Sequence, residues 1–248
     1  MDKVIDFLGI KVSVLTTDEI IEKILEFTLS GNHKMITYLN AHCVNVSFAD
    51  PEYKNILNAA NIVYADGISI VWGSKLLGKP LPERLTDLDF FDILAKDAAK
   101  KDISFYFLGG RPKVAELAAD KLRERFPNLN IVGIHHGYFT ESEEENFIKE
   151  INLLEPKILL VGMGVPKQEK WIHNHLDELR VNLCWAIGTF DGLAGLFQRA
   201  PSWMLEAGLE WLYRLYQEPK RLWRRYLIGN FIFIYRVFEC KMRSLFFR

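Results

Sequence analysis

The sequence predicts an α/β protein, a Rossmann-like, doubly wound and mostly parallel sheet with an α-helical appendage at its C-terminal end. Three observations predict it. Short β-branched and aromatic runs alternate with amphipathic runs as far as about residue 195, several of them joined by glycine turns. Two capping boxes, T-T-D-E at 16–19 and T-E-S-E at 140–143, mark helix starts within that alternation. After Gly195 the strand-like runs stop and only helical patterning continues.

Taken in order, residues 6–15 read as one extended run, followed by a helix opened by the first capping box and running to about Leu29. KMITYL at 34–39 is a strand ending at Asn40, and 44–58 is a helix. NIVYA at 61–65 is a strand that breaks at Asp66-Gly67, with helices following at 68–77 and 88–100. In the second helix Phe90, Ile93, Leu94 and Ala98 share one face. ISFYFL at 103–108, a Gly109-Gly110 turn and a helix at 112–126 form the next unit. A strand at 130–134 and the helix behind the second capping box follow. KILLV at 157–161, a Gly162-Met163-Gly164 turn and a helix at 166–179 repeat the pattern, and 181–187 closes it. The remainder reads as two helices, 201–217 and 219 to the end, with Pro219 at the start of the second. The expected division is therefore an α/β core over 1–195 and a helical appendage over 196–248.

Composition limits the function. Hydrophobic residues make up 49% of the chain, too many for disorder at this charge. Net charge is −1, so there is no overall pull toward nucleic acid, and no nucleic-acid partner is expected. That balance hides an asymmetry. Residues 196–248 hold 10 Lys/Arg against 4 Asp/Glu and 13 of the 32 aromatic residues. Cys43, Cys184 and Cys240 have neither metal-ligand nor disulfide-framework spacing, which suits a reducing compartment. The first residues, MDKVIDFLGIKV, lack the uninterrupted apolar run of a signal peptide. The apolar stretch at 226–235 is about half of the roughly 20 residues needed to span a bilayer, so a soluble or peripheral protein is expected.

Several residues have the character of a reaction site. The Gly109-Gly110 and Gly162-Met163-Gly164 turns lie between a strand and a helix, where backbone N–H groups and the helix dipole favour phosphate. Close packing in any such turn also selects glycine, and no dinucleotide or P-loop fingerprint is completed. Asp66, at the end of a strand, is placed for general-base work in the crevice above an open sheet, or for a turn or helix cap. Asp87-Leu88-Asp89 has the form of a D-x-D cation site, but also that of a helix start. His173 and His175, two apart on a helix, do not share a face, and no metal site is expected. In the appendage Arg214, Arg221 and Arg225 fall near one helical face, with Arg224 beside them and Trp and Tyr residues between. Basic and aromatic residues on helices too short to span describe a membrane-surface element, with an oligomerisation arm or plain packing as the other uses.

Read together, the segments resemble the WecG/TagA/CpsF family, glycosyltransferase family 26. The resemblance rests on TYLNAH (37–42), ADGISIVW (65–72), RLTDLDF (84–90), FLGG (107–110) and HHGYF (135–139). It continues through PKILLVGMGVPKQEKWI (156–172), IGTFDGLAG (187–195), RAPSWM (199–204) and GLEWLYRLYQEPKRLWRRY (208–226). One departure is visible: the family usually reads T-G-x-D at 86–89, so Asp89 is the family-type residue and Asp87 stands where glycine is usual.

The resemblance implies a metal-independent, cofactor-free, inverting transferase acting on lipid-linked sugar, nearest to the TagA type. That type moves N-acetylmannosamine from its UDP sugar to the 4-hydroxyl of undecaprenyl-diphosphate-linked N-acetylglucosamine, forming the β-linked disaccharide of the teichoic acid linkage unit. It implies Asp66 as base, with Thr37, Asn40 and Gln168 lining the sugar and nucleotide site. Asp191 matches F-D-x-x-A-G. Departing UDP would meet the Gly109 and Gly164 turns and Arg214, Arg221 and Arg224 from the appendage, whose docking at the bilayer would complete the site. The expected location is cytoplasmic, on the inner face of the cell membrane, with a homo-oligomer as a further expectation. Other readings are a different donor (N-acetylmannosaminuronic acid or glucose), a nucleotide-sugar oxidoreductase, and a non-catalytic peripheral membrane scaffold.

Overall fold

The computed structural model describes residues 3–31, 33–188 and 190–246. Residues 6–15 form a hairpin rather than one extended run: β1 (Val4–Phe7) pairs antiparallel with β2 (Ile10–Ser13). Leu8 (φ 55°) and Gly9 (φ 80°) both turn left-handed, the geometry of a two-residue hairpin loop. Helix α1 (Thr17–Leu29) opens on the expected capping box, in which Thr16 Oγ1 accepts from the Glu19 amide and Glu19 accepts from the Thr16 amide.

Strand β3 (Lys34–Leu39) follows, then α2 (Ala41–Ala49) and α3 (Pro51–Ala59). The single helix expected over 44–58 is thus two, because Pro51 cannot continue α2 and instead sits in the first turn of α3. Next come β4 (Ile62–Ala65), α4 (Ile68–Leu76), α5 (Asp87–Lys100), β5 (Ser104–Gly109) and α6 (Val114–Arg125). The core is completed by β6 (Asn130–His135), α7 (Glu141–Leu154), β7 (Ile158–Gly162), α8 (Lys167–His175), β8 (Leu183–Ala186) and α9 (Phe190–Leu193).

Strands β3 to β8 form one sheet in the order β4-β3-β8-β7-β5-β6, and every pairing is parallel. The chain runs outward from β3 to β4 on one side and from β5 to β6 on the other, and β7 and β8 fill the centre. Helices cover both faces, which is why the central strands are apolar along their length. One face is packed by Tyr64, Phe90, Phe91, Phe105, Phe107, Trp185 and Phe190, with Phe90 and Trp185 stacked at 5.5 Å. The other is packed by Tyr106, Phe147, Trp171 and Ile172. Because all six strands are parallel, Asn40, Asp66, Gly110, Met163 and Ile187 lie at one edge, where α/β sheets bind ligands.

After Gly195 the structure is helical, as expected, with more breaks. Gly208 (φ 71°) divides the first expected helix into α10 (Ser202–Glu206) and α11 (Glu210–Gln217). The second begins as α12 (Pro219–Trp223), passes through a π-helical turn at Arg224–Ile228 and continues as α13 (Gly229–Phe246). Helix α13 lies against α2 and α4, burying Phe233 and Val237. Phe233 stacks on Phe7 of the hairpin at 6.2 Å. The contact is close: a Cβ on Gly73 of α4 would stand 2.9 Å from the Phe7 ring. Asn45 donates to the Gly229 carbonyl at 2.7 Å and accepts from Arg236 at 2.7 Å. No helix among the described residues is long and apolar enough to cross a membrane.

Candidate active site

Asp66 immediately follows β4, and its amide donates to the Leu39 carbonyl of β3 at 2.9 Å. It does not cap α4; the residue at that position is Gly67, which makes no side-chain cap. Its neighbour across the sheet is Asn40, whose two ends do different work. Asn40 Oδ1 accepts from the amides of His42 (3.0 Å) and Cys43 (3.1 Å), capping α2, and Nδ2 donates to Asp66 Oδ2 at 3.1 Å. The helix start thereby fixes the donor that orients the carboxylate. Burial raises the Asp66 carboxyl above the ordinary carboxylate range. Asn40 opposes that rise, Glu210 adds to it, and the charges of Arg225 and Arg84 oppose it.

The two carboxylates of D-L-D diverge. Asp87 Oδ1 accepts from the Tyr64 hydroxyl and Oδ2 from the Gly188 amide at 2.6 Å. Asp89 instead pairs with Arg84 (2.7 Å) and with Arg199 of the R-A-P motif. Arg84 also reaches Glu210 of α11 at 2.8 Å, tying the C-terminal helices to the segment that leads into α5. Thr86 holds the cap position without a side-chain bond, and Asp87 and Asp89 both stand in the first turn of α5, where their charge complements the helix dipole. Among the described residues no group of three or more His, Cys, Asp or Glu is arranged to hold a metal.

The glycine turns supply space rather than free donors. The Gly110 amide donates to the Gly162 carbonyl, and the Gly164 amide to Gln168 Oε1, both at 2.9 Å. A Cβ on Gly109 would stand 2.3 Å from the Gly162 carbonyl oxygen, so only glycine lets these two strand ends close up. Asp191 lies over this turn, its Oδ1 3.7 Å from the Arg111 guanidinium.

Thr37 and Gln168 are wholly buried and so do not line an open surface. They converge on Glu169, whose Oε1 accepts from Thr37 Oγ1 (3.2 Å) and Gln168 Nε2 (3.0 Å). Thr37, Glu169, Gln168 and Gly164 thus form one chain of bonds from β3 to the turn after β7. Sequence reading missed Glu169 although it adjoins Gln168 in P-K-Q-E, because nothing in the string distinguishes a buried glutamate from a helix-surface one. Burial pushes its carboxyl up to about 7, against the pull of its hydrogen bonds. Folding therefore holds a proton that the unfolded chain releases, and stability falls as pH rises from about 4.5 to about 7. Glu169→Gln should remove that slope, so its stability relative to wild type should rise across this window by on the order of 2 kcal/mol. Urea unfolding at pH 5 and pH 8 measures it; an equal difference at both pH values would contradict it.

The C-terminal arginines occupy different settings. Arg214 is largely buried, stacked over Phe197 at 3.4 Å and paired with Glu218 at 3.3 Å, while its buried Nε has no partner. Arg221 also pairs with Glu218 but is 54% exposed, and Arg224 lies over Trp223 on the surface. Arg225, in the π-helical turn, is the one whose charge reaches Asp66. It also contributes, after burial, to pushing His42 down to about 4, which leaves that imidazole neutral. Helical spacing had grouped Arg225 with Arg214 and Arg221, but the candidate residues drawn from the resemblance did not include it.

Comparison with known proteins agrees with this arrangement of motifs. The Glycosyl transferase WecG/TagA/CpsF family matches residues 5–245. Among curated relatives, N-acetylglucosaminyldiphosphoundecaprenol N-acetyl-beta-D-mannosaminyltransferase of Staphylococcus aureus strain MW2 is 31% identical over 242 residues, covering 96% of this chain and 94% of that protein. The proteins of the same name from strains NCTC 8325 and COL match with the same identity and coverage. The chain belongs to the WecG/TagA/CpsF family of glycosyl transferases.

Proposed function

We propose that this protein transfers N-acetylmannosamine from UDP-N-acetylmannosamine to the 4-hydroxyl of N-acetylglucosaminyl diphosphoundecaprenol, with inversion and with Asp66 as the general base. The observation that carries this reading is the placement of Asp66, in a chain whose relatives bear that enzyme name: a carboxylate of raised proton affinity at the sheet's C-terminal edge, oriented by Asn40. Asn40 is the only side chain bonded to Asp66 among the described residues, which leaves Oδ1 for an acceptor hydroxyl.

In this reading Asp66 removes the hydroxyl proton as the acceptor oxygen attacks the anomeric carbon from the side opposite UDP. The carbon–oxygen bond to the β-phosphate breaks, and its electron pair leaves with UDP. Arg214, Arg221 and Arg224 of the appendage meet the charge that develops there, while Arg225 is the one whose charge reaches Asp66. Gly109, Gly164 and Asp191 border the space for the nucleotide. Thr37 and Gln168 act from below, through Glu169 and the Gly164 turn. The reaction needs no cofactor.

Residues 1–195 are the catalytic core in this proposal, and 196–248 completes the site at a membrane surface. Supporting the latter, α13 turns Phe231, Tyr235, Phe238 and Leu245 outward, each more than half exposed, with Lys241 and Arg243 beside them. The proposed location of this contact is the cytoplasmic face of the membrane. Replacing Phe231 and Phe238 together by Ser should weaken binding to anionic vesicles roughly tenfold or more. Cosedimentation equal to wild type would argue against the contact.

The activity is tested by supplying a short-chain lipid diphosphate N-acetylglucosamine and UDP-N-acetylmannosamine in the presence of EDTA. A lipid-linked disaccharide is expected. Release of UDP only with UDP-glucose or the uronic acid donor would replace the donor, and silence with every UDP sugar would remove the activity.

A further inference from the structure

Asn45 stands on α2 one turn beyond His42, and its half-buried side chain grips the C-terminal helices at two places. Its Nδ2 donates to the Gly229 carbonyl at 2.7 Å, and its Oδ1 accepts from the Arg236 guanidinium at 2.7 Å. Arg236 also donates to the Asn45 carbonyl at 3.3 Å and lies 4.1 Å from the centre of the Phe48 ring. Both ends of the amide are therefore used, one on the residue that opens α13 and the other two turns further along that helix.

Gly229 is more than the start of α13. Its amide donates back to the Arg224 carbonyl, closing the π-helical turn that carries Arg225. One residue thus closes the turn with its N–H and is held by Asn45 through its carbonyl. Such turns are rare and frequently mark functional sites. At its other end α2 begins at Asn40, which caps it and donates to Asp66 Oδ2 at 3.1 Å. A single helix of nine residues therefore holds the carboxylate at its cap and the arginine-bearing turn further along its length.

We propose that Asn45 is a positioning residue for the reaction: it holds the exit of the π-helical turn against the helix whose cap orients Asp66, and so fixes where Arg225 stands relative to the base. The proposal rests on the reading of Asp66 as the base. Burial and then the charge of Arg225 keep His42 of α2 neutral, and the same charge opposes the rise in proton affinity at Asp66. Glu210 of α11 adds to that rise, and Arg84, ahead of α5, opposes it. Burial, then the charge of Asp66, raises the Asp87 carboxyl at the start of α5. Burial keeps the phenols of Tyr38 on β3 and Tyr64 on β4 protonated. Among the described residues Asn45 bonds none of these groups. Releasing Asn45 therefore acts on Asp66 through the π-helical turn, and displacing a cation there moves the proton affinity of Asp66 upward.

The test is the pH dependence of kcat/KM in the full chain for wild type, Asn45→Ala, Asn45→Ser, Arg225→Ala and the double variant Asn45→Ala/Arg225→Ala, with a carboxyl carbon-13 titration of Asp66 in the same proteins. Asn45→Ser keeps a polar group in the half-buried position but is too short to reach the Gly229 carbonyl, so it keeps the test open if Asn45→Ala folds poorly. Both Asn45 variants should move the acid limb and the Asp66 titration to higher pH, with kcat/KM roughly three- to tenfold lower on the limb and closer to wild type at pH 9. In the Arg225→Ala background the Asn45 substitution should add no further shift, because the two act through one charge. A limb and an Asp66 titration that stay in place, whether or not turnover falls evenly at every pH, would overturn the proposal. So would a shift that adds in full to that of Arg225→Ala. Full activity of Asp66→Asn would remove the base itself, and that failure is recognisable because the carbon-13 titration reports the placing of the Arg225 charge independently of turnover.

Discussion

Asp66→Asn should lower kcat by about 10²- to 10⁴-fold while KM for both substrates changes little. Asparagine preserves the shape and can still bond Asn40, but it cannot accept a proton from the attacking hydroxyl. The interaction lost exists only as the proton moves, so the loss belongs to kcat rather than to binding. The variant should fold at least as well as wild type at pH 8. A buried carboxyl with raised proton affinity opposes folding once ionised, and the substitution relieves that penalty. A variant with normal thermal unfolding and more than a tenth of wild-type kcat would show that another group takes the proton.

Arg225→Ala in the full chain should lower kcat/KM by roughly tenfold or more, less than the cost of removing a sheltered group because Arg225, like Arg224, is exposed. Arg225 carries a second effect with a definite sign. Its charge opposes the raised proton affinity of Asp66, so its removal should move the acid limb of the rate profile to higher pH. Arg224→Ala, on the outer surface over Trp223, should leave that limb in place. Measuring both variants from pH 5 to pH 9 separates the two arginines. A limb that moves in Arg224→Ala and not in Arg225→Ala would reverse the assignment.

The residues that announced themselves in the string are those whose local chemistry suffices. Thr16–Glu19 and Thr140–Glu143 form their capping boxes because the partners are three residues apart. KMITYL is a strand over all of Lys34–Leu39 because a strand covered on both faces reads as a continuous apolar run. Elsewhere one residue reset the geometry. Pro51 divided a helix, Gly208 divided another, and the left-handed turn at Leu8-Gly9 folded one expected strand into two.

The site was legible as a set of motifs and illegible as a network. Asp66 was visible at a strand end, yet only its geometry separates a base from a helix cap. The pairing of Asp89 with Arg199 joins two motifs 110 residues apart in the chain. Thr37 and Gln168, which the resemblance puts at the sugar and nucleotide site, are buried on β3 and α8 and both bond Glu169. Burial raises the proton affinities of Glu169 and Asp87, and no spacing in the string encodes burial.

The central claim is a single displacement at the anomeric carbon with Asp66 taking the proton. The most direct measurement is the anomeric configuration of the disaccharide made from α-linked UDP-N-acetylmannosamine, read from the one-bond carbon–hydrogen coupling at C1 of the transferred sugar. A β linkage is expected, the inverted product of one attack. An α-linked product would require two displacements or a front-side route, and would contradict the role assigned to Asp66.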